Sequence, residues 1–330
     1  MAGTEALLES EKQNGTAMNP TELKQFFQIH PRILGEGAVI ERLKRAGYEL
    51  DEHVVNSAFV YDPDKRAAIE EIFRQYLDAG AETDLPLVLS TPTWRASRAR
   101  IEAAGYADRD VNADNFRMLD ELRQSYGDYA KKVAICGLLS CRGDAYKPEA
   151  ALGVDESREF HTWQAEKLAA TGADFLLAAT LPALSEATGL AAALAATEKP
   201  YVVSFVVRPE GTLLDGTPLK EAYAAIDGAV DPKPFAYMAN CTHASFLESA
   251  LNHPEHCSPF VRERLLGLFA NTAALTPEEL DNSRALVEEE PEDFAEAVAA
   301  LHDAFGLKLL GGCCGTDGRH IRRLAERLAR

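Results

Sequence analysis

One pattern runs the length of this chain: a short run of apolar residues, then a longer stretch with apolar residues spaced at three and four. The short runs are RILGE (32–36), LPLVLST (85–91), KVAICGLLS (132–140), ADFLLAAT (173–180), YVVSFVV (201–207), FAYMANC (235–241), RLLGLFAN (264–271) and LKLLGG (307–312). Most are apolar throughout rather than alternating, as expected of parallel strands covered on both faces. Helical spacing follows each of them, as in AVIERLKRAG (38–47), SREFHTWQAEKLAATG (157–172) and DGRHIRRLAERLAR (317–330). The stretch 62–81 is the clearest helix, with Asp62 as its cap and Gly80 as its expected end.

Eight βα units predict a (β/α)8 TIM-type barrel. The alternative is an open, doubly wound sheet. Its phosphate-binding turn, G-x-G-x-x-G after the first strand, is missing, because GEGAVI offers only Gly35 and Gly37. No linker divides residues 31–330, so they read as one domain. Residues 1–30 read as a mobile N-terminal lead-in of charged and small residues.

The formal charge of -18 repels phosphate backbones and anionic lipid, which argues against nucleic-acid and membrane-surface partners. No stretch reaches the roughly 18 uninterrupted apolar residues of a membrane span. The N-terminus has neither the basic start nor the apolar core of a secretory signal. A cytoplasmic protein is the resulting expectation. The oligomeric state is left open.

In a barrel, chemistry sits at the C-terminal ends of the strands. Glu36, Thr91 to Trp94, Cys141 and Arg142, Thr180, Asn240 and Cys241, Asn271, and Cys313 with Cys314 all fall there. Strands six and eight are two apart around the ring, so Cys241 and the adjacent pair Cys313–Cys314 converge on one rim. Three thiolates at a mouth point to Zn2+, which takes sulfur ligands at about 2.3 Å in a tetrahedron. Three protein ligands leave the fourth position open, the arrangement of a catalytic site. Other readings compete. Cysteine is often simply buried, the reading adopted for Cys136, while Cys141 either lines the pocket or packs beneath it. A redox pair normally has the spacing C-x-x-C rather than C-C. A local metal site could use Cys241 with His243, or His253 with Cys257, but neither spacing matches a standard zinc module. His161 and Trp163 read as packing or surface residues on a helix. Trp94 reads as a buried aromatic, with an aromatic wall for a cationic methyl group as the rival role.

ANC at 239–241 followed by GGCCGT at 311–316 resembles the homocysteine S-methyltransferase family. GEG at 35–37, DFLLAATLPALSEA (174–187) and SFVVRPEGTLLDGTPL (204–219) extend the resemblance over most of the chain. It implies a barrel with one catalytic zinc on Cys241, Cys313 and Cys314, a small thiol as methyl acceptor, and a small-molecule donor such as a sulfonium compound, betaine or a methylated folate. Glu36, Thr180 and Asn240 are then the residues expected to meet the substrate.

Three positions depart from the family pattern. Glu36-Gly37 stands for the common Asp-Gly. Ala179 stands where a Glu commonly holds the amino group of homocysteine. TPTW (91–94) stands for Thr-Asn-Thr-Tyr. Three functions follow: methyl transfer to homocysteine with Glu36 taking the ammonium, the same chemistry on another small thiol or selenol, or a zinc- or thiol-binding protein without turnover.

Overall fold

The computed structural model describes residues 17–276, 279 and 289–330. Eight parallel strands pair in sequence order and close on themselves. They are β1 (Ile33–Gly35), β2 (Leu87–Ser90), β3 (Val133–Ser140), β4 (Phe175–Leu181), β5 (Tyr201–Phe205), β6 (Ala236–His243), β7 (Leu265–Asn271) and β8 (Leu309–Gly312). Closure is direct, with Ile33 opposite Leu309 and Leu34 opposite Leu310. The expected (β/α)8 barrel is the observed fold.

Alternation along each strand separates two apolar layers. Ile33, Val88, Ala134, Cys136, Phe175, Leu177, Val202, Met238 and Leu309 fill the barrel interior. Their neighbours, such as Leu34, Leu87, Ile135, Leu176 and Val203, pack outward against the helices. Cys136 is thus a core residue, with its thiol on the Ser90 hydroxyl at 3.4 Å.

Part of the lead-in expected over 1–30 is a packed helix. Residues 1–16 lie outside the described residues. Pro20–Ile29 forms a helix capped by Asn19, whose side chain accepts from Glu22 N–H while the Glu22 carboxylate accepts from Asn19 N–H. Leu23, Phe26 and Phe27 on its inner face join the interior apolar cluster. Phe27 meets Phe175 at 6.0 Å and Phe235 at 5.4 Å between ring centres. This helix closes the N-terminal end of the barrel and leaves the opposite end for chemistry.

The helix predicted over 62–81 begins at its Asp62 cap but runs to Thr83. Gly80 does not stop it. The Tyr129 hydroxyl packs where a Gly80 side chain would be, and it donates to Leu85 O at 2.7 Å. The helix stops at Asp84, which adopts a left-handed φ of 58°. Among the described residues, no helix is long and apolar enough to cross a membrane.

Candidate metal centre

Strand β6 was expected to end at Cys241. It continues to His243, with one residue too many. Asn240 pairs with Phe269 and Thr242 with the next residue, Ala270, so Cys241 is left unpaired between them. Its φ is 51°, in the left-handed region. Such a bulge re-aims a side chain, and its backbone strain costs on the order of 1–3 kcal/mol. Strand β4 does the same at Thr180, with φ 59° and a register shift between Ala178 and Leu181.

The loop after β8 supplies the other two thiols. Gly311 has no side chain because β1 lies against it: an added Cβ would stand 2.7 Å from Glu36 O. Cys313 N–H donates to Ala270 O at 2.6 Å, Cys314 N–H to the Asn271 side chain at 3.2 Å, and Thr272 N–H to Cys314 O at 3.1 Å. The end of β7 therefore frames the cysteine pair. Gly315 then turns the chain with φ 86°. Thr316 closes the turn, donating to Cys313 O at 2.7 Å and accepting from Ala38 N–H at 3.0 Å.

The Sγ atoms of Cys241, Cys313 and Cys314 lie within 4.8 Å of one another. Bonds of about 2.3 Å in a tetrahedron would set sulfurs about 3.8 Å apart, so one metal ion fits this set. Cys241 and Cys313 are half-buried and Cys314 is exposed, which leaves the cluster open on one side. The neighbouring Cys313 and Cys314 thiols hold Cys241 well below its ordinary pKa. Cys241 and Cys314 push Cys313 well above the ordinary value, and Cys241 and burial push Cys314 up to about 12 against the lowering effect of Cys313.

Asn240, beside the bulge, ties the rim together. Its Oδ1 accepts from Thr180 N–H at 2.9 Å and from the Ser204 hydroxyl at 2.6 Å. Its Nδ2 donates to Thr180 Oγ1 at 2.6 Å and to Cys241 Sγ at 3.4 Å. Ala179 brings only a methyl group to this wall, and its carbonyl accepts from the Ser140 hydroxyl at 2.7 Å. Glu36 follows β1, the strand next to the cysteine pair, and its Oε2 accepts from Ser90 N–H at 2.8 Å. Burial pushes its carboxyl up to about 8, against the lowering effect of the Ser90 hydrogen bonds.

The local His/Cys alternatives do not assemble. The His243 ring caps the helix Ala244–Asn252 and meets Glu289 at 2.9 Å. His253 and His256 stack at 4.2 Å, and His256 Nδ1 meets Glu210 O. Among the described residues, the three cysteines are the one group of His, Cys, Asp and Glu able to hold a metal. Cys141 is buried under the rim, where burial raises its pKa to about 11. Trp94 has the Arg95 guanidinium over its ring at 4.2 Å. His161 is buried and pairs with Glu186 at 3.2 Å.

Sequence reasoning missed Tyr146. It lies in the polar loop after β3, close enough to Cys241, Cys313 and Cys314 for their charges to act on it. The cysteine charge and burial push its own pKa well above the usual tyrosine value. The sole sequence signal was general: loops at this end of a barrel carry site residues.

A family model described as homocysteine S-methyltransferase matches residues 33–328. The chain is 27% identical over 310 residues to the homocysteine S-methyltransferase of Escherichia coli, covering 89% of this chain and 94% of that one. It is 22% identical over 327 residues to the homocysteine S-methyltransferase YbgG of Bacillus subtilis, covering 93% and 97%. To betaine–homocysteine S-methyltransferase 1 of Bos taurus it is 25% identical over 320 residues, covering 90% and 72%. The crystal structure of the homocysteine methyltransferase MmuM from Escherichia coli, in its metallated form, matches with a TM-score of 0.70 at 23% identity, covering 92% and 99%. That likeness speaks for the shared barrel.

Proposed function

The chain belongs to the homocysteine S-methyltransferase family, and on that premise we propose that it transfers a methyl group from a sulfonium donor to homocysteine, giving methionine, at a zinc held by Cys241, Cys313 and Cys314. The observation that carries this reading is the convergence of three sulfurs, from two strand ends, within 4.8 Å. When bound, zinc would keep the acceptor thiol deprotonated at neutral pH, where a free thiol with a pKa near 8.5 is mostly protonated.

The acceptor sulfur attacks the methyl carbon, a new S–CH3 bond forms, and the donor's S–CH3 bond breaks. The leaving sulfur takes the bonding pair and becomes a neutral thioether, so no proton is needed at the donor. S-methylmethionine and S-adenosylmethionine are the donors of this type. Asn240 and Thr180 hold the wall of the mouth around Cys241, through the hydrogen bonds between them. Glu36 is our assignment for the ammonium of homocysteine. An arriving cation favours its carboxylate form and draws its pKa down from about 8.

Ala179 favours a second reading. A methyl group there withholds a charge-assisted hydrogen bond worth about 1.5–3 kcal/mol from an ammonium, which would suit a small thiol or selenol that carries no amino group. A panel of thiols and methyl donors, run on zinc-loaded protein, separates the readings. Methionine formed from homocysteine and a sulfonium donor supports the first. Turnover of amine-free thiols alone moves the assignment to the second. No methyl product from any pair would leave a zinc- or thiol-binding protein without turnover.

A further inference from the structure

Loop 142–152 carries Tyr146 over the cysteine cluster, and both of its ends are held by one buried carboxylate. Glu186, fully buried in the helix Leu184–Ala195 after β4, accepts from Arg142 N–H through Oε1 at 2.6 Å and from Leu152 N–H through Oε2 at 3.2 Å. His161 Nε2 lies 3.2 Å from Oε1. The Ser157 hydroxyl donates to Glu186 O at 2.7 Å, which fastens the neighbouring helix to the same residue. Burial pushes the Glu186 carboxyl up, but His161 and the two loop amides outweigh it and hold it below its ordinary value. Inside the loop, Asp144 accepts from Tyr146 N–H at 3.0 Å, which fixes the tyrosine between the two pinned ends. Arg95 donates to Cys141 O at 2.8 Å and Arg142 O at 3.0 Å, bracing the loop from the β2 side.

We propose that Glu186 is a positioning residue: its carboxylate sets the height of loop 142–152 and so keeps Tyr146 beside the cysteine cluster. No other side chain among the described residues is recorded accepting from both ends of this loop. Gln at this position has one acceptor oxygen where two amides need one each. Its amide nitrogen would face a backbone N–H, so one loop end must let go. Asp keeps the charge but is one methylene short of spanning both amides. The consequence for catalysis rests on the zinc-site reading above; the positioning itself does not.

The test uses full-length, reduced, chelator-treated protein and iodoacetamide, with alkylation at each cysteine followed by mass spectrometry. Neither metal nor methyl donor enters, so the result stands even if the zinc assignment fails. Glu186→Gln is expected to speed alkylation of Cys241 about tenfold, the scale of one lost charge-assisted hydrogen bond, while Cys136 in the barrel interior stays protected. Tyr146→Phe is expected to change the Cys241 rate several-fold in the unmodified background and less than twofold beside Glu186→Gln, since the loop has already carried Tyr146 away from the cysteines. Glu186→Asp gives a smaller change of the same kind and stands in if Glu186→Gln does not fold. Cys136 opening in step with Cys241 would mean that Glu186 merely stabilises the fold. An equal Tyr146→Phe effect in both backgrounds would overturn the link to Tyr146.

Discussion

Asn240 holds Thr180 across an intervening strand, its Oδ1 accepting from Thr180 N–H at 2.9 Å and its Nδ2 donating to Thr180 Oγ1 at 2.6 Å. Thr180 and Cys241, the residue after Asn240, are both left-handed, so this one amide braces two strained strand ends. Asn240→Ala strips partners from a buried threonine and a buried serine. It should cost about 2–4 kcal/mol in denaturant unfolding, and it should lower zinc retention on dialysis because Cys241 loses its brace. Unchanged zinc retention would detach Asn240 from the metal site.

Gly315→Ala should damage the site by a different route. The left-handed φ of 86° costs a non-glycine residue on the order of 1 kcal/mol or more, and an added Cβ would run into the Thr272 side chain. The turn that presents Cys313 and Cys314 should open. Zinc content after purification should fall by at least half, whereas Gly216→Ala, at a similar φ but with open space around it, should leave zinc content intact.

Glu36 makes two pH-dependent predictions. Its folded pKa of about 8 lies above the ordinary carboxyl value of 4.5. The stability contributed by the neutral form is therefore full below about 4.5 and is lost as pH rises toward 8, at up to about 1.4 kcal/mol per pH unit. Glu36→Gln should flatten that slope in unfolding curves between pH 5 and 8, windows set by the same two values. If Glu36 takes the substrate ammonium, homocysteine binding at pH 7 should also release more protons from the unmodified protein than from Glu36→Gln, as read by calorimetry in buffers of different ionisation enthalpy. Equal release would free Glu36 from that role.

Phe27→Ala should act at the other end of the barrel. Removing a buried ring packed on Phe175 and Phe235 should cost about 3–5 kcal/mol and lower the melting temperature. Zinc stoichiometry of the folded protein should be unaffected, because the plug and the thiols occupy opposite ends.

The barrel was legible because each strand is a continuous apolar run and each helix keeps its three-and-four spacing. The cysteine triad was legible because a Gly-Gly-Cys-Cys-Gly turn after a strand has few other uses. What escaped the sequence was set by contacts between distant residues. Gly80 looks like a helix stop until Tyr129 packs against it. Cys241 looks like a strand end, because a bulge is a register relation with β7 and no local signal announces it. The helix Pro20–Ile29 did carry a signal, Asn19 with Glu22 three residues on and apolar residues at 23, 26 and 27, but it was masked by the polar stretch before it. Tyr146 and Glu186 gave no specific signal, since their roles arise from a loop folding back over a rim.

The central claim is that Cys241, Cys313 and Cys314 hold zinc and that the acceptor thiol completes its shell. X-ray absorption at the zinc edge, on protein as purified and after addition of homocysteine, measures both halves at once. Three sulfur neighbours at about 2.3 Å, rising to four with homocysteine, is the predicted result. A shell that stays at three, or zinc retained in full by Cys241→Ser, would contradict it.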